Sequence, residues 1–171
     1  IVKAHEEGII HFHDSDYFVQ HMINCCLVNL DDMLQHGTVI NGTLVEKPHS
    51  FATACNIATQ IMAQIASNQY GGQSESMAAL VPFIDISRRK IRADVEIEFA
   101  GLDVSEERKV EVTERRLRDE IKRGVQTIQY QINTLMTTNG QAPFVSIFLY
   151  MNEVEGEQQK KDFAMLIEEI L

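Results

Sequence analysis

The chain has 171 residues, 44% of them hydrophobic, which suits one globular domain with a sizeable core. Its 25 acidic and 15 basic residues give a formal net charge of -10, opposing broad binding to a nucleic-acid backbone while leaving room for one nucleotide in a local pocket. Three cysteines, two of them adjacent, make a poor disulfide framework and fit a reducing cytosol, and Ser50–Ser74, though uncharged, is too rich in Thr, Asn and Gln to span a membrane.

The first stretch, "EEGIIHFHDSDYF", alternates around Ile9–Asp14 and predicts a short strand with His11 and His13 on one face. "MINCCLVNL" is a second, largely apolar strand candidate. "DDMLQHG" predicts a short helix closed by Gly37, and "TVINGTLVEKP" a small hairpin turning at Asn41-Gly42. Ser50 can cap the uncharged helix. Its polar positions Thr53, Asn56, Gln60, Gln64 and Ser67 share one face, the remainder is apolar, and the helix is expected to end at "YGG" and to be buried nearly all round.

A further helix is expected to start at Ser74 and to kink or break at Pro82. "EFAGLD" reads as a turn, after which Ser105 opens a long helix with an apolar stripe at Leu117, Ile121, Val125, Ile128, Ile132 and Leu135. The two helices form an expected projecting hairpin ending at a C-cap on Asn139-Gly140, before "FVSIFLYM", a buried strand. The final "KKDFAMLIEEIL" is an amphipathic helical pattern. Since it stops in mid-pattern and the chain opens without Met, a fragment of a longer polypeptide is expected. No signal-peptide pattern is present at its start.

Four constellations could carry chemistry. His11-x-His13-Asp14 has ligand-type residues on alternate strand positions, but no second cluster completes a metal set, and a hydrogen-bonded strand end is the simpler reading. Adjacent Cys25 and Cys26 form no relaxed disulfide with each other. On a strand they point to opposite faces, so at most one meets a site and the other packs; Cys55 is read as core. "YGGQS" could cradle a phosphate before a helix, although it lacks the Lys-Ser/Thr of a P-loop and could simply break the helix. "TTNGQAPF" is either a cap and turn or a ligand loop.

Taken in order, "HEEGIIHFHDSDY", "NCCLVNLDDMLQHG", "ATACNIATQIMAQIASNQYGG" and "INTLMTTNGQAPF" resemble the anaerobic (class III) ribonucleoside-triphosphate reductases, a glycyl-radical enzyme family. The likeness runs from about His5 to Phe148. It implies the helix-rich N-terminal part of a ten-stranded α/β barrel with a long helical hairpin, residues 1–171 being one partial barrel domain. The ATP cone, radical-cysteine finger loop, four-cysteine zinc site and glycyl-radical motif of the family have no counterpart here.

The same resemblance implies reduction of ribonucleoside triphosphates to deoxyribonucleotides by thiyl and glycyl radical chemistry. Formate is the reductant, a radical-SAM activase installs the radical, and deoxynucleoside triphosphate or ATP effectors bind a cytoplasmic homodimer. Cys26, before "LVN", is the match to the family's barrel-strand thiol, with Cys25 packing outward. Asn139 and Gln141 become ribose contacts, with His11, His13 and Asp14 lining or supporting the same mouth. Gln60, Gln64 and Lys90 become effector contacts, and no metal is expected within this part. Two other readings stay open: an isolated nucleotide-binding and dimerisation module, and a different glycyl-radical enzyme such as a formate-lyase relative. A zinc or iron protein built on His11 and His13 is a remote third.

Overall fold

The computed structural model describes residues 1–12, 24–69, 71–138 and 142–171. Residues 13, 14, 139 and 141, and with them most of the predicted substrate contacts, lie outside that set. Over the described residues the protein is a mixed α/β structure, rich in helix, with a small parallel sheet.

A short helix α1 (Val2–Glu6) opens the chain. The strand expected over Ile9–Asp14 is not formed in its described part: the N–H groups of Ile9 and Ile10 both return to the carbonyl of Ala4, at 2.9 and 3.2 Å, folding the backbone onto α1. Strand β1 is only Cys26–Leu27. Helix α2 (Leu30–His36) has Asn29 as its cap and Gly37, at φ 84°, beyond its last turn. The hairpin forms as its Asn-Gly pair predicts, with β2 (Thr38–Ile40) antiparallel to β3 (Thr43–Val45) and positive φ at Asn41 and Gly42, the signature of a type I′ turn.

Helix α3 (Phe51–Ala66) is capped as expected, the Ser50 hydroxyl accepting the Thr53 N–H at 3.1 Å. It is not buried all round. Phe51, Ala54, Cys55, Ala58, Ile61 and Met62 form its core face, while Thr53, Asn56 and Gln60 are exposed. The helix stops at Ala66, before "YGG".

The helix expected from Ser74 begins later, because Gln73–Ser76 is strand β4. This is the central strand of the parallel sheet, in the order β1-β4-β5, with Cys26 opposite Gln73 and Ser74 opposite Ser146. The sequence disguises it. Central strands of a parallel sheet normally read as apolar runs, whereas this one reads Gln-Ser-Glu-Ser, with Gln73 and Glu75 buried and the serines half-buried. A 3₁₀ turn (Met77–Leu80), capped by the Ser76 hydroxyl, leads into α4 (Val81–Glu98). Pro82 sits in the first turn of α4, where its missing N–H has no intrahelical partner to lose, so it starts the helix and does not kink it.

Helix α5 (Glu106–Thr134) is capped by Ser105 and buries Leu117, Ile121, Val125 and Ile128. Its stripe packs within the chain, chiefly on α3 and α4. Gly124 permits the closest approach, since a Cβ there would stand 2.5 Å from the Phe51 ring and 2.9 Å from the Cys55 Sγ. The hairpin is thus pinned to the core and not a free projection. Strand β5 (Val145–Phe148) is a half-exposed edge and not the buried strand expected, with Phe144 and Ser146 exposed on or beside it. Helix α6 (Glu157–Ile170) closes the core with Phe163 and Leu166.

Polar pins hold this helical layer together. The Phe51 N–H donates to the Ser87 hydroxyl at 2.8 Å, Ser87 donates to Glu120 at 2.7 Å, and Glu120 also accepts the Ala52 N–H, joining α3, α4 and α5. Arg88 donates to Glu114 on α5 at 2.8 Å and takes both oxygens of Asp162 on α6. Such a fork on a carboxylate is the strong form of a charge-assisted bond. No helix among the described residues is long and apolar enough to cross a membrane.

Candidate functional site

The two faces of the sheet differ. Cys26, Gln73, Glu75 and Val145 share the face turned to the helices, as the parallel register requires of Cys26, Gln73 and Val145, and of Glu75 two residues along. Gln73 donates its amide N–H to the Met62 carbonyl of α3 at 2.8 Å, and Cys26 and Val145 pack against the hydrophobic core. Around β1 accessibility alternates: Cys25, Leu27 and Asn29 are exposed, Cys26 is half-buried, Val28 and Leu30 are buried. The two thiols therefore lie on opposite sides of the strand. Cys26 is the one against the helices, and Cys25 is the exposed one.

Burial raises the Cys26 pKa first, the Glu75 carboxylate and Cys25 add to the rise, and a hydrogen bond with the Gln69 side chain opposes it. Cys26 is thus held as a thiol. Burial pushes Cys55 up much further, consistent with inert packing. Glu75 is completely buried, and burial alone lifts its pKa to about 8.

The upstream rim of the sheet, where β1, β4 and β5 begin, gathers the segments singled out from the sequence. The Gly71 N–H donates to the Asn24 carbonyl at 2.5 Å, and a Cβ on Gly71 would stand 2.7 Å from the Cys25 Sγ. Gly72 lies directly under the Phe144 ring, leaving no room for a Cβ. These glycines are needed for close approach of three chain segments. They precede a strand, not a helix, so the phosphate-cradle reading of "YGGQS" fails for want of the helix N-terminus it requires. Thr138 and Ala142 flank the Asn139 and Gln141 segment, and Thr138 contacts Ser67, the C-cap of α3, through two 3.4 Å bonds.

Of the other predicted contacts, His11, Gln60, Gln64 and Lys90 fall among the described residues. The rings of His5 and His11 stand 5.4 Å apart, with His5 accepting the Phe12 N–H at 3.0 Å. Among the described residues no three His, Cys, Asp or Glu side chains come together as a metal set. Gln60 and Gln64 lie on the polar stripe of α3 and Lys90 on the exposed side of α4, with no bond between α3 and Lys90 among the described residues. Nearer to Gln60, Gln131 on α5 bonds both Asn56, at 3.2 Å, and Thr59, an amide cluster the sequence did not announce. A cavity of about 520 Å³ opens at the opposite, downstream end of the sheet, bordered by Asn29, Asp31, Ser76, Glu153, Glu155 and Gln159. Its rim carries three carboxylates, Asp31, Glu153 and Glu155, an acidic lining that by itself disfavours a triphosphate.

These features define an α/β protein that presents a single exposed thiol beside a parallel sheet, backed by a closely packed helical layer. All of residues 1–171 match the family model described as anaerobic ribonucleoside-triphosphate reductase, and the chain belongs to that family. It is 37% identical over 150 residues to the anaerobic ribonucleoside-triphosphate reductase of Enterobacteria phage T4, covering 86% of this chain and 24% of that protein. Proteins of the same name from Haemophilus influenzae and Escherichia coli are 39% and 38% identical, each over 85% of this chain and 20% of their own length. The chain thus spans between a fifth and a quarter of these curated relatives.

Proposed function

We propose that the chain is part of the catalytic subunit of an anaerobic ribonucleotide reductase, within a ten-stranded α/β barrel that converts ribonucleoside triphosphates to deoxyribonucleotides. The observation that carries this reading is the family match along the whole chain, joined to an exposed thiol at the rim where β1 and β4 begin. In this reading a glycyl radical elsewhere in the polypeptide, installed by a radical-SAM activase, supplies the one-electron chemistry, and formate is the reductant. The residues of this chain bind, orient and exclude water. Asn139 and Gln141 can donate to and accept from ribose hydroxyls. His11, His13 and Asp14 support the same mouth, and Gln60, Gln64 and Lys90 remain the effector contacts.

In a barrel wrapped by helices, the reaction side of the sheet is the side away from them. Cys25 meets that requirement and Cys26, which packs on the helices, does not. The reducing thiol is therefore assigned to Cys25, in place of Cys26. In the full-length enzyme, Cys25→Ser should abolish deoxyribonucleotide formation while the glycyl-radical signal in electron paramagnetic resonance persists, and Cys26→Ser should keep most of the activity. Loss of activity in Cys26→Ser with retention in Cys25→Ser would return the role to Cys26. Retention in both would remove a cysteine of this strand from the reaction.

A further inference from the structure

The adjacent thiols pose a chemical problem wherever one of them must react and the other must not. Cys26 sits diagonally across from Glu75 on the helix-facing side of β1 and β4. Glu75 is fully buried, and among the described residues neither of its carboxylate oxygens has a hydrogen-bond partner; the Oε1 of neighbouring Gln73 has none either. The elements packed most against β4 are β1, β5 and α3. They carry only Cys26 and Cys55 as titratable side chains, and no cation. Glu153 meets the Ser76 hydroxyl at the end of β4, on the other face of the strand from Glu75.

Around a fully buried carboxyl with no cation on the elements packed against it, one negative charge is held with difficulty and a second beside it hardly at all. Whichever of the two groups ionises first blocks the other, and a carboxyl gives up its proton before a thiol does. We propose that Glu75, by ionising before its neighbour as pH rises, holds Cys26 as an inert thiol on the alkaline side of neutrality, where the exposed Cys25 becomes reactive. Glu75 is a positioning residue of charge, acting on Cys26 from behind the strand without touching any reactant. Gln69 completes the arrangement: its side chain bonds Cys26 and donates to the Gly71 carbonyl at 3.0 Å, tying the rear thiol to the glycine segment. The inference needs no radical chemistry. It stands even if the role given to Cys25 in the reductase fails.

The test is the alkylation of Cys26 by iodoacetamide, in which the thiolate sulfur bonds the methylene carbon, iodide leaves, and the thiol proton goes to buffer. It is followed peptide by peptide on the intact chain carrying Cys25→Ser, with and without Glu75→Gln. The expected result is a rate ratio near one at about pH 6.5, rising toward about tenfold at about pH 9 as removal of the buried anion lowers the Cys26 pKa. An equal acceleration at both pH values would mean that the substitution merely loosens packing, and no acceleration at either would mean that the groups do not communicate. Both overturn the proposal. A measurement without the substitution guards against a misfolded variant: in glutamate-labelled protein the infrared band of a protonated carboxyl should persist at neutral pH and vanish on raising the pH. A carboxyl band that still persists at about pH 9 would leave no anion to act on Cys26 and overturns the proposal.

Discussion

Asp162 and Glu75 are equally removed from water, and the protein treats them in opposite ways. Asp162, 1% exposed, receives the fork of Arg88, which also reaches Glu114, and it accepts the Gln158 amide at 2.9 Å. Glu75, 0% exposed, has no such partner among the described residues. A buried carboxylate with a guanidinium is a fastener between helices; one without is driven toward its neutral acid. The helical layer is the part of the molecule where polar groups are paired for stability, and the sheet is the part where one is left unpaired beside a thiol.

The sharpest way to test this contrast is the pH dependence of stability. Glu75 has a folded-state pKa of about 8 against 4.5 for an unperturbed carboxyl, so the folded state holds the proton more tightly. Stability fully present below the lower value is lost as pH rises through the higher one, by at most about 1.4 kcal/mol per pH unit. Urea unfolding of the wild type should show that decline, and Glu75→Gln should remove it. A flat wild-type profile over this interval would break the contrast.

On the paired side, Asp162→Ala removes the forked partner of a mostly buried Arg88 and leaves it Glu114, and should cost about 2–4 kcal/mol, read as a lower urea midpoint at unchanged slope. A cost below about 1 kcal/mol would place the pair with ordinary surface ion pairs, such as Arg108 with Glu111. Smallest of the three, Ser87→Ala deprives the buried Phe51 N–H of its acceptor and Glu120 of a donor, for about 1–3 kcal/mol. Its additivity with Asp162→Ala would show whether the two pins on α4 act independently.

Much of the local structure was legible without coordinates, since it rests on short-range chemistry. Ser50 and Ser105 cap helices because a hydroxyl reaches an N–H two or three residues on, and Asn41-Gly42 turns a hairpin because both residues accept positive φ. Strand β4 was not legible. Its residues have no apolar alternation, and their burial comes from the neighbours on either side. The candidate site divides in the same manner. The thiols and the segment holding Asn139 and Gln141 stood out as motifs, whereas Glu75, Gln69 and Gln131 carry no local signal.

By itself the sequence determined that adjacent cysteines on an extended chain must part company, one to each side, because successive side chains of a strand alternate. It also determined the N-caps at Ser50 and Ser105, the hairpin and the apolar stripe of α5, but not where α5 ends: the helix stops at Thr134 with Leu135 as its C-cap, short of the C-cap expected at Asn139-Gly140. Which cysteine faces the helices was decided only in three dimensions, by the parallel pairing of Cys26 with Gln73 and the packing of that face against α3. The same pairing buried Glu75 next to Cys26. A residue's partners across a sheet are set by register and by what covers the face, and neither is written within the strand's own few residues.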